Sequence, residues 1–151
     1  MIVNVLVVVG IFALDQFTKW LSVLHVMPVE TIPLIDGVFH LTYAENTGAA
    51  FSILQNQRLF FIIATLILIA VMVYLLVHQG RAVHPLFRIS LLFVIGGALG
   101  NFWDRLINGF VVDMLDFRLI QFAIFNVADC FVVVGTILLC AYILLFDKKQ
   151  V

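Results

Sequence analysis

Five charged residues stand within or at the edge of apolar runs, Asp15, Lys19, Asp104, Arg105 and Asp129, and two more acids, Asp113 and Asp116, stand between the last two runs. Within a membrane span each such group costs roughly 2.5–3.5 kcal/mol on insertion scales. Asp15 and Lys19 are spaced i,i+4, so they share a helix face and can neutralise each other. Asp104 and Arg105 are adjacent, point apart on a helix, and must find other partners. Structural bracing of neighbouring helices accounts for these four. Asp113 and Asp129 differ, because the chain offers them no obvious base. Two carboxyls held together cannot both ionise cheaply, so one is pushed up and the pair shares a proton. One member can then take a proton from water while the other donates to a carbonyl, which is a hydrolase's equipment. A non-catalytic assembly factor and an ion-transport subunit are the alternative uses of such an acid cluster.

The rest of the chain dictates where these residues sit. Of its 151 residues, 64% are hydrophobic and 11% charged, and the mean hydropathy is +1.20. A soluble domain is roughly 45–50% apolar and about 25% charged. The composition excludes a soluble globular domain and a disordered tail. The formal net charge of −1 leaves no basic face for nucleic acid. A bilayer core of about 30 Å needs roughly 20 apolar residues per helix. Four spans follow, at about residues 2–24, 58–77, 86–105 and 122–146, in a single membrane-embedded domain covering 1–151. The first segment lacks a basic n-region and a small-x-small cleavage site, so it reads as a retained helix and not a cleaved signal peptide. Arg81, Arg88, Lys148 and Lys149 lie on the side of the termini, against Arg58 and Arg118 on the other. The positive-inside rule then places both termini in the cytoplasm.

This topology gathers the acids. Asp15 lies about 20 Å along a helix leaving the cytoplasm, Asp104 closes the third span, and Asp129 opens the fourth. Asp113 and Asp116 occupy the loop between those two spans. At the extracytoplasmic face Asp15, Glu30, Asp36, Glu45, Asp104, Asp113, Asp116 and Asp129 outnumber Lys19, Arg58, Arg105 and Arg118. Some carboxyls there must be exposed, protonated or paired with each other. Within the segment of about 25–57 on that face, Asp36-Gly37 separates two β-rich runs, Ile32–Ile35 and Val38–Tyr43, and predicts a hairpin. The shorter loop, about Asn108 to Gln121, carries no such signal.

Other chemistries find no support in the sequence. His25, His40, His78 and His84 are scattered over both faces, with no zinc-binding spacing. Ser22, Ser52 and Ser90 stand outside any nucleophile-elbow motif. Cys130 reads as a core thiol. Cys130 and Cys140 fall about 15 Å apart along one helix, too far for a disulfide. Gly96, Gly97 and Gly100 fit close helix packing, within the chain or between two copies.

The sequence resembles the lipoprotein signal peptidases, the type II signal peptidases of bacteria, over its whole length. The blocks that carry the resemblance are Asp15-Gln-Phe-Thr-Lys19, Asn46-Thr-Gly-Ala-Ala-Phe51, Gly100-Asn-Phe-Trp-Asp-Arg105, Val111-Val-Asp113 and Phe125-Asn-Val-Ala-Asp129. It implies an all-α polytopic membrane protein of four helices, with a small β-hairpin or cradle on the extracytoplasmic surface. It implies that Asp113 and Asp129 are the catalytic pair. Asp15, Lys19, Asn46, Gly48, Asn101, Asp104, Arg105, Asn126 and Ala128 become the supporting shell, with Asn46, Arg105 and Asn126 lining a substrate cleft. The implied substrates are lipidated prolipoproteins reached through membrane lipid and cut just before the diacylglyceryl-modified cysteine. No metal, cofactor or obligate protein partner is implied. The implied setting is the bacterial cytoplasmic membrane with the site near its outer face, and sensitivity to globomycin-type cyclic peptides follows. Met114, Ala123 and Cys130 stand where the family often has Phe, Pro and Ser, and Asp116 is a further acid close to Asp113.

Overall fold

The computed structural model describes residues 2–48, 54–78, 84–120 and 122–146. Arg81, Lys148 and Lys149 of the charge comparison, and Ala49 to Phe51 of the second sequence block, lie outside the described residues. Four helices are long and apolar enough to cross a membrane: α1 (Ile2–Leu21), α2 (Arg58–His78), α3 (Pro85–Ile107) and α4 (Val127–Phe146). After Leu21 the first helix runs on through a π-helical turn, Ser22–Val26, and a 3₁₀ turn, Met27–Val29. β1 (Thr31–Ile35), β2 (Phe39–Asn46) and β3 (Val111–Phe117) form an antiparallel sheet in that order.

α3 is the centre of the bundle and packs against α1, α2 and α4. Its buried residues include Leu91, Leu92, Val94, Ile95 and Ala98, whereas α2 buries none. A helix that is apolar all round and unburied in the protein presents itself to lipid. Without a hydrophobic drive between helices in lipid, close backbone approach has to hold the bundle. The glycines supply it within one chain. A Cβ on Gly96 would stand 2.8 Å from Ile11 of α1, and one on Gly135 would stand 2.8 Å from the Ser90 carbonyl. A Cβ on Gly97 would strike the Ala128 carbonyl of α4, and one on Gly100 the Asp15 carboxyl.

The ends of α3 are sealed by side chains. His84 Nδ1 accepts the Leu86 N–H ahead of Pro85 at the first turn. At the other end Arg58 donates Nε to the Arg105 carbonyl (2.7 Å) and Nη2 to that of Leu106 (2.9 Å). Those carbonyls have no partner within the helix.

The hairpin forms where the sequence predicts it, with Gly37 at φ +68° and the Val38 N–H closing on the Ile35 carbonyl at 3.0 Å. Two differences matter for the site. The loop after α3 is a strand, β3, paired with β2. The fourth helix starts at Val127 and not near 122, because the chain before it is extended and bonded to β3. The Phe125 carbonyl accepts from Leu115 (2.8 Å) and Met114 (3.0 Å), and its N–H donates to the Leu115 carbonyl (3.1 Å). A backbone committed to that pairing cannot also enter a helix.

Candidate active site

Asn126 and Asp129 start α4 by holding each other. The Asp129 N–H donates to Asn126 Oδ1 (2.9 Å), and the Asn126 N–H donates to Asp129 Oδ2 (3.1 Å). This is a reciprocal capping box, with Asn at the cap and the carboxylate three residues on. It fixes the Asp129 side chain at the helix entrance. Asp129 Oδ1 accepts from Asn101 Nδ2 of α3 at 2.7 Å.

Asp113 arrives from the sheet. A register irregularity between Leu41 and Ala44 leaves β2 with one extra residue opposite Asp113, Met114 and Leu115: Leu41 faces Leu115, and Ala44 faces Asp113. A regular ladder would put Asn46 and Asp113 on opposite faces, and the extra residue brings them to the same face. Asn46 Nδ2 then donates to Asp113 Oδ2 (3.0 Å), while Asn126 Nδ2 donates to Asp113 Oδ1 (2.6 Å). Burial pushes the Asp113 carboxyl up to about 6, and the negative charge of Asp129 adds to it. The bonds from Asn46 and Asn126 and the Lys19 charge pull the other way.

Behind the pair lies a buried ion cluster. Lys19 Nζ reaches Asp15 Oδ2 and Asp104 Oδ2, both at 2.9 Å, and Asn101 Oδ1 at 3.0 Å. Gln16 Nε2 spans the same two acids, at 3.2 Å from Asp15 and 3.0 Å from Asp104. On the open side, Arg105 donates to the Gly48 carbonyl (2.8 Å) and lies 4.7 Å over the Phe61 ring. The Gly48 N–H returns to Asn46 Oδ1 at 2.9 Å, so the Asn46 amide has only one orientation that also serves Asp113.

Asp113 and Asp129 both open on a cavity of about 630 Å³. Its polar side carries Asn46, Asn101 and Arg105 beside the two acids. Its apolar side is built from Phe61 of α2, Val111 of β3, the extended run Phe122–Phe125, and Cys130, Val133 and Val134 of α4. An apolar cleft with a few convergent polar groups and a perturbed carboxyl is the arrangement of a binding or catalytic site.

The signal peptidase (SPase) II family model matches residues 7–145. The chain belongs to the signal peptidase II family. It is 47% identical over 146 residues to the lipoprotein signal peptidase of Clostridioides difficile, which covers 97% of each chain. It is 49% identical over 145 residues to that of Brevibacillus brevis, covering 96% of this chain and 97% of the relative. Two solved bacterial membrane enzymes, determined by the in meso method, share its architecture. One superposes with a TM-score of 0.87 at 29% identity, over 100% of this chain and 94% of its own. The other gives 0.83 at 33% identity, over 97% and 95%.

The structure of this signal peptidase II family member brings nine of the eleven expected residues into one bonded network: Asp15, Lys19, Asn46, Asn101, Asp104, Asp113, Asn126, Ala128 and Asp129. Gly48 and Arg105 close it on the cavity side. One expected role is corrected. Asn126 does not line the cleft: it is fully buried, and its amide is spent on Asp113, on Asn101 (3.1 Å) and on the Asp129 N–H. Asp116 also stands apart from the pair, three residues along β3 and hence on its other face. Burial opposes its ionisation, but bonds from Thr42 (2.7 Å) and Arg118 (2.8 Å) outweigh that and hold its carboxyl below the usual range. Gln16, which bridges Asp15 and Asp104, and Arg58, which caps the end of α3, are contacts around the site that sequence reasoning passed over. Among the described residues no group of three or more His, Cys, Asp or Glu is placed to hold a metal ion.

Proposed function

We propose that this chain is an aspartyl endopeptidase of the bacterial cytoplasmic membrane. It removes the signal peptide from diacylglyceryl-modified prolipoproteins, cutting just before the lipidated cysteine, with Asp113 and Asp129 as the reacting pair. The observation that carries the reading is that two carboxyls, joined through the single residue Asn126, open on one largely apolar cavity. Family membership and the names of the curated relatives support the substrate class.

In this mechanism the ionised member of the pair takes a proton from water as the water oxygen bonds to the scissile carbonyl carbon. The protonated member gives its proton to the carbonyl oxygen. On collapse the C–N bond breaks, the leaving nitrogen takes the proton held by the first carboxyl, and the second recovers its own from the gem-diol. Asp113, whose carboxyl is pushed up to about 6 by burial and by the Asp129 charge, is suited to general acid–base catalysis near that pH.

The substrate reaches the cavity sideways from the bilayer between Phe61 of α2 and Val133 and Val134 of α4. A helical signal peptide shields its own carbonyl, so its backbone has to open at the cut and find replacement partners. Arg105, with guanidinium N–H groups beyond those given to Gly48 and Asn101, is the cleft group that supplies them. Both termini are cytoplasmic, and the sheet and the pair lie at the extracytoplasmic face.

The test uses purified protein in detergent and a lipidated prolipoprotein, resolved on a gel. Wild type releases the signal peptide, while Asp113→Asn and Asp129→Asn each lose cleavage by at least about 10³-fold, as expected when an acid–base group is removed. Cleavage by both variants at the wild-type rate refutes the pair and returns the cluster to an assembly or transport role.

A further inference from the structure

The cluster behind the cavity makes two contacts that bracing alone does not require. Asp15 Oδ1 accepts the N–H of Ala128 at 2.9 Å, the residue immediately before Asp129. Asp104 Oδ2 accepts the N–H of Val112 at 3.2 Å, the residue immediately before Asp113. Each acid of the cluster therefore grips the backbone next to one member of the reacting pair. A single ammonium, Lys19 Nζ, joins the two acids at 2.9 Å each. Its third contact, at 3.0 Å, is Asn101 Oδ1, and Asn101 Nδ2 goes on to Asp129 at 2.7 Å. An ammonium has three N–H donors and no acceptor, so every donor of Lys19 leads through one side chain either to Asp129 itself or to the backbone immediately before a member of the pair.

We infer that Lys19 is a positioning residue that sets the separation of the Asp113 and Asp129 carboxyls. This rests on the reading that those two aspartates react. Asp113 comes from β3 and Asp129 from α4, so their separation is a distance between elements: Asn126 ties the two carboxyls directly, and the cluster ties the backbones that carry them. Lys19 spans that distance from α1, a third element. The cluster is dry: Asp15, Lys19 and Asp104 are 0%, 3% and 2% exposed. Breaking a buried ion pair leaves an uncompensated charge, which makes the arms stiff. The direction of the Asn101 amide is dictated as well. With its oxygen facing an ammonium, only its NH₂ is left for Asp129.

Lys19→Met is the primary test, with kcat and KM measured separately on a lipidated prolipoprotein. A misplacement on the order of 1 Å costs about 10²-fold in rate. The expected result is a kcat lower by about that factor with KM within about twofold, since the cavity wall is untouched. An unchanged kcat, or a loss confined to KM, overturns the proposal. The Asp104→Asn and Asp104→Ala pair isolates one arm. Both lose the ion pair, but Asn keeps an oxygen for the Val112 N–H and Ala keeps none. The arm requires kcat to be at least about tenfold higher for Asn than for Ala, and equal values refute it. Should these variants not fold, amide hydrogen exchange on wild type decides. Val112 and Ala128 must exchange as slowly as the interior of α3, and exchange as fast as the edge strand β1 overturns the proposal. Asp113→Asn and Asp129→Asn accompany the series. If they still cleave, the pair itself is wrong; if they are inactive while Lys19→Met is not, the positioning role alone fails.

Discussion

Asp113 is a carboxyl with a donor on each oxygen and almost no water, and the balance of those influences sets its proton affinity. Burial and the Asp129 charge raise it to about 6, while the bond from Asn46 favours the ionised form and lowers it. Asn46→Ala removes that bond, so the Asp113 carboxyl moves further up. The sign is the same whichever role Asp113 plays. As an acid it is lost as pH rises through its pKa, and as a base it is lost as pH falls through it. In either case the limb of kcat against pH moves to higher pH in Asn46→Ala, and a limb that stays or moves down is the contrary result. Which limb moves also reports the role. At this scale much of the site was legible from charge alone. The i,i+4 spacing of Asp15 and Lys19 became a 2.9 Å ion pair, and the surplus of acids left Asp113 and Asp129 without obvious bases, while their role as a reacting pair came from the family resemblance. What charge could not reveal was the amide work. Gln16, Asn101 and Asn126 carry no net charge, and each also has a partner on another element (Asp104, Asp129 and Asp113 respectively), which only the folded chain shows.

The elements supply the distances that residues alone cannot, and glycine is where that requirement is sharpest. Gly100 on α3 lies against the Asp15 carboxyl, where a Cβ would strike it, whereas Gly10 on α1 has open space around its Cβ direction. Gly100→Ala therefore pushes α1 from α3 at the level of the ion cluster. Its expected cost is about 2 kcal/mol or more, in the range of core overpacking, together with a loss of kcat through the displaced Asp15. Gly10→Ala is expected to leave both unchanged. Thermal unfolding in detergent and kcat for the two variants check this contrast, and equal behaviour contradicts the packing argument. The four helices were legible because length and apolarity suffice to define a span, and the hairpin because Asp36-Gly37 is turn chemistry. β3 was not. Its Val-Val-Asp-Met-Leu-Asp-Phe pattern does not alternate, since Val111 to Met114 are all buried, and its partner β2 is distant in sequence. Hydropathy alone starts α4 five residues early, near 122 and not at Val127, because it cannot separate an apolar extended run from an apolar helix. The Asn126–Asp129 capping spacing was the signal that marks the true start.

For the whole molecule, the arrangement is polarised. The sheet, the ion cluster and the cavity share one end of the bundle, and His84 with Tyr142 and Phe146 marks the other. Such a molecule works on a membrane-anchored substrate only if that end faces the compartment where the lipidated cysteine is presented. The positive-inside rule predicts that this end faces outside, and a direct test is available. Asp36 lies in the hairpin turn with its side chain fully exposed. In a background where Cys130 and Cys140 are replaced by Ser, Asp36→Cys provides a single thiol at the tip of the sheet. A membrane-impermeant maleimide is expected to label it in intact cells whose outer barrier is permeabilised. Labelling only after the cytoplasmic membrane is opened would invert the topology. The interior helices would survive that inversion unchanged, because no packing contact distinguishes inside from outside. Orientation is a property of the flanking charges and the lipid, so the labelled thiol at Asp36 reads it directly.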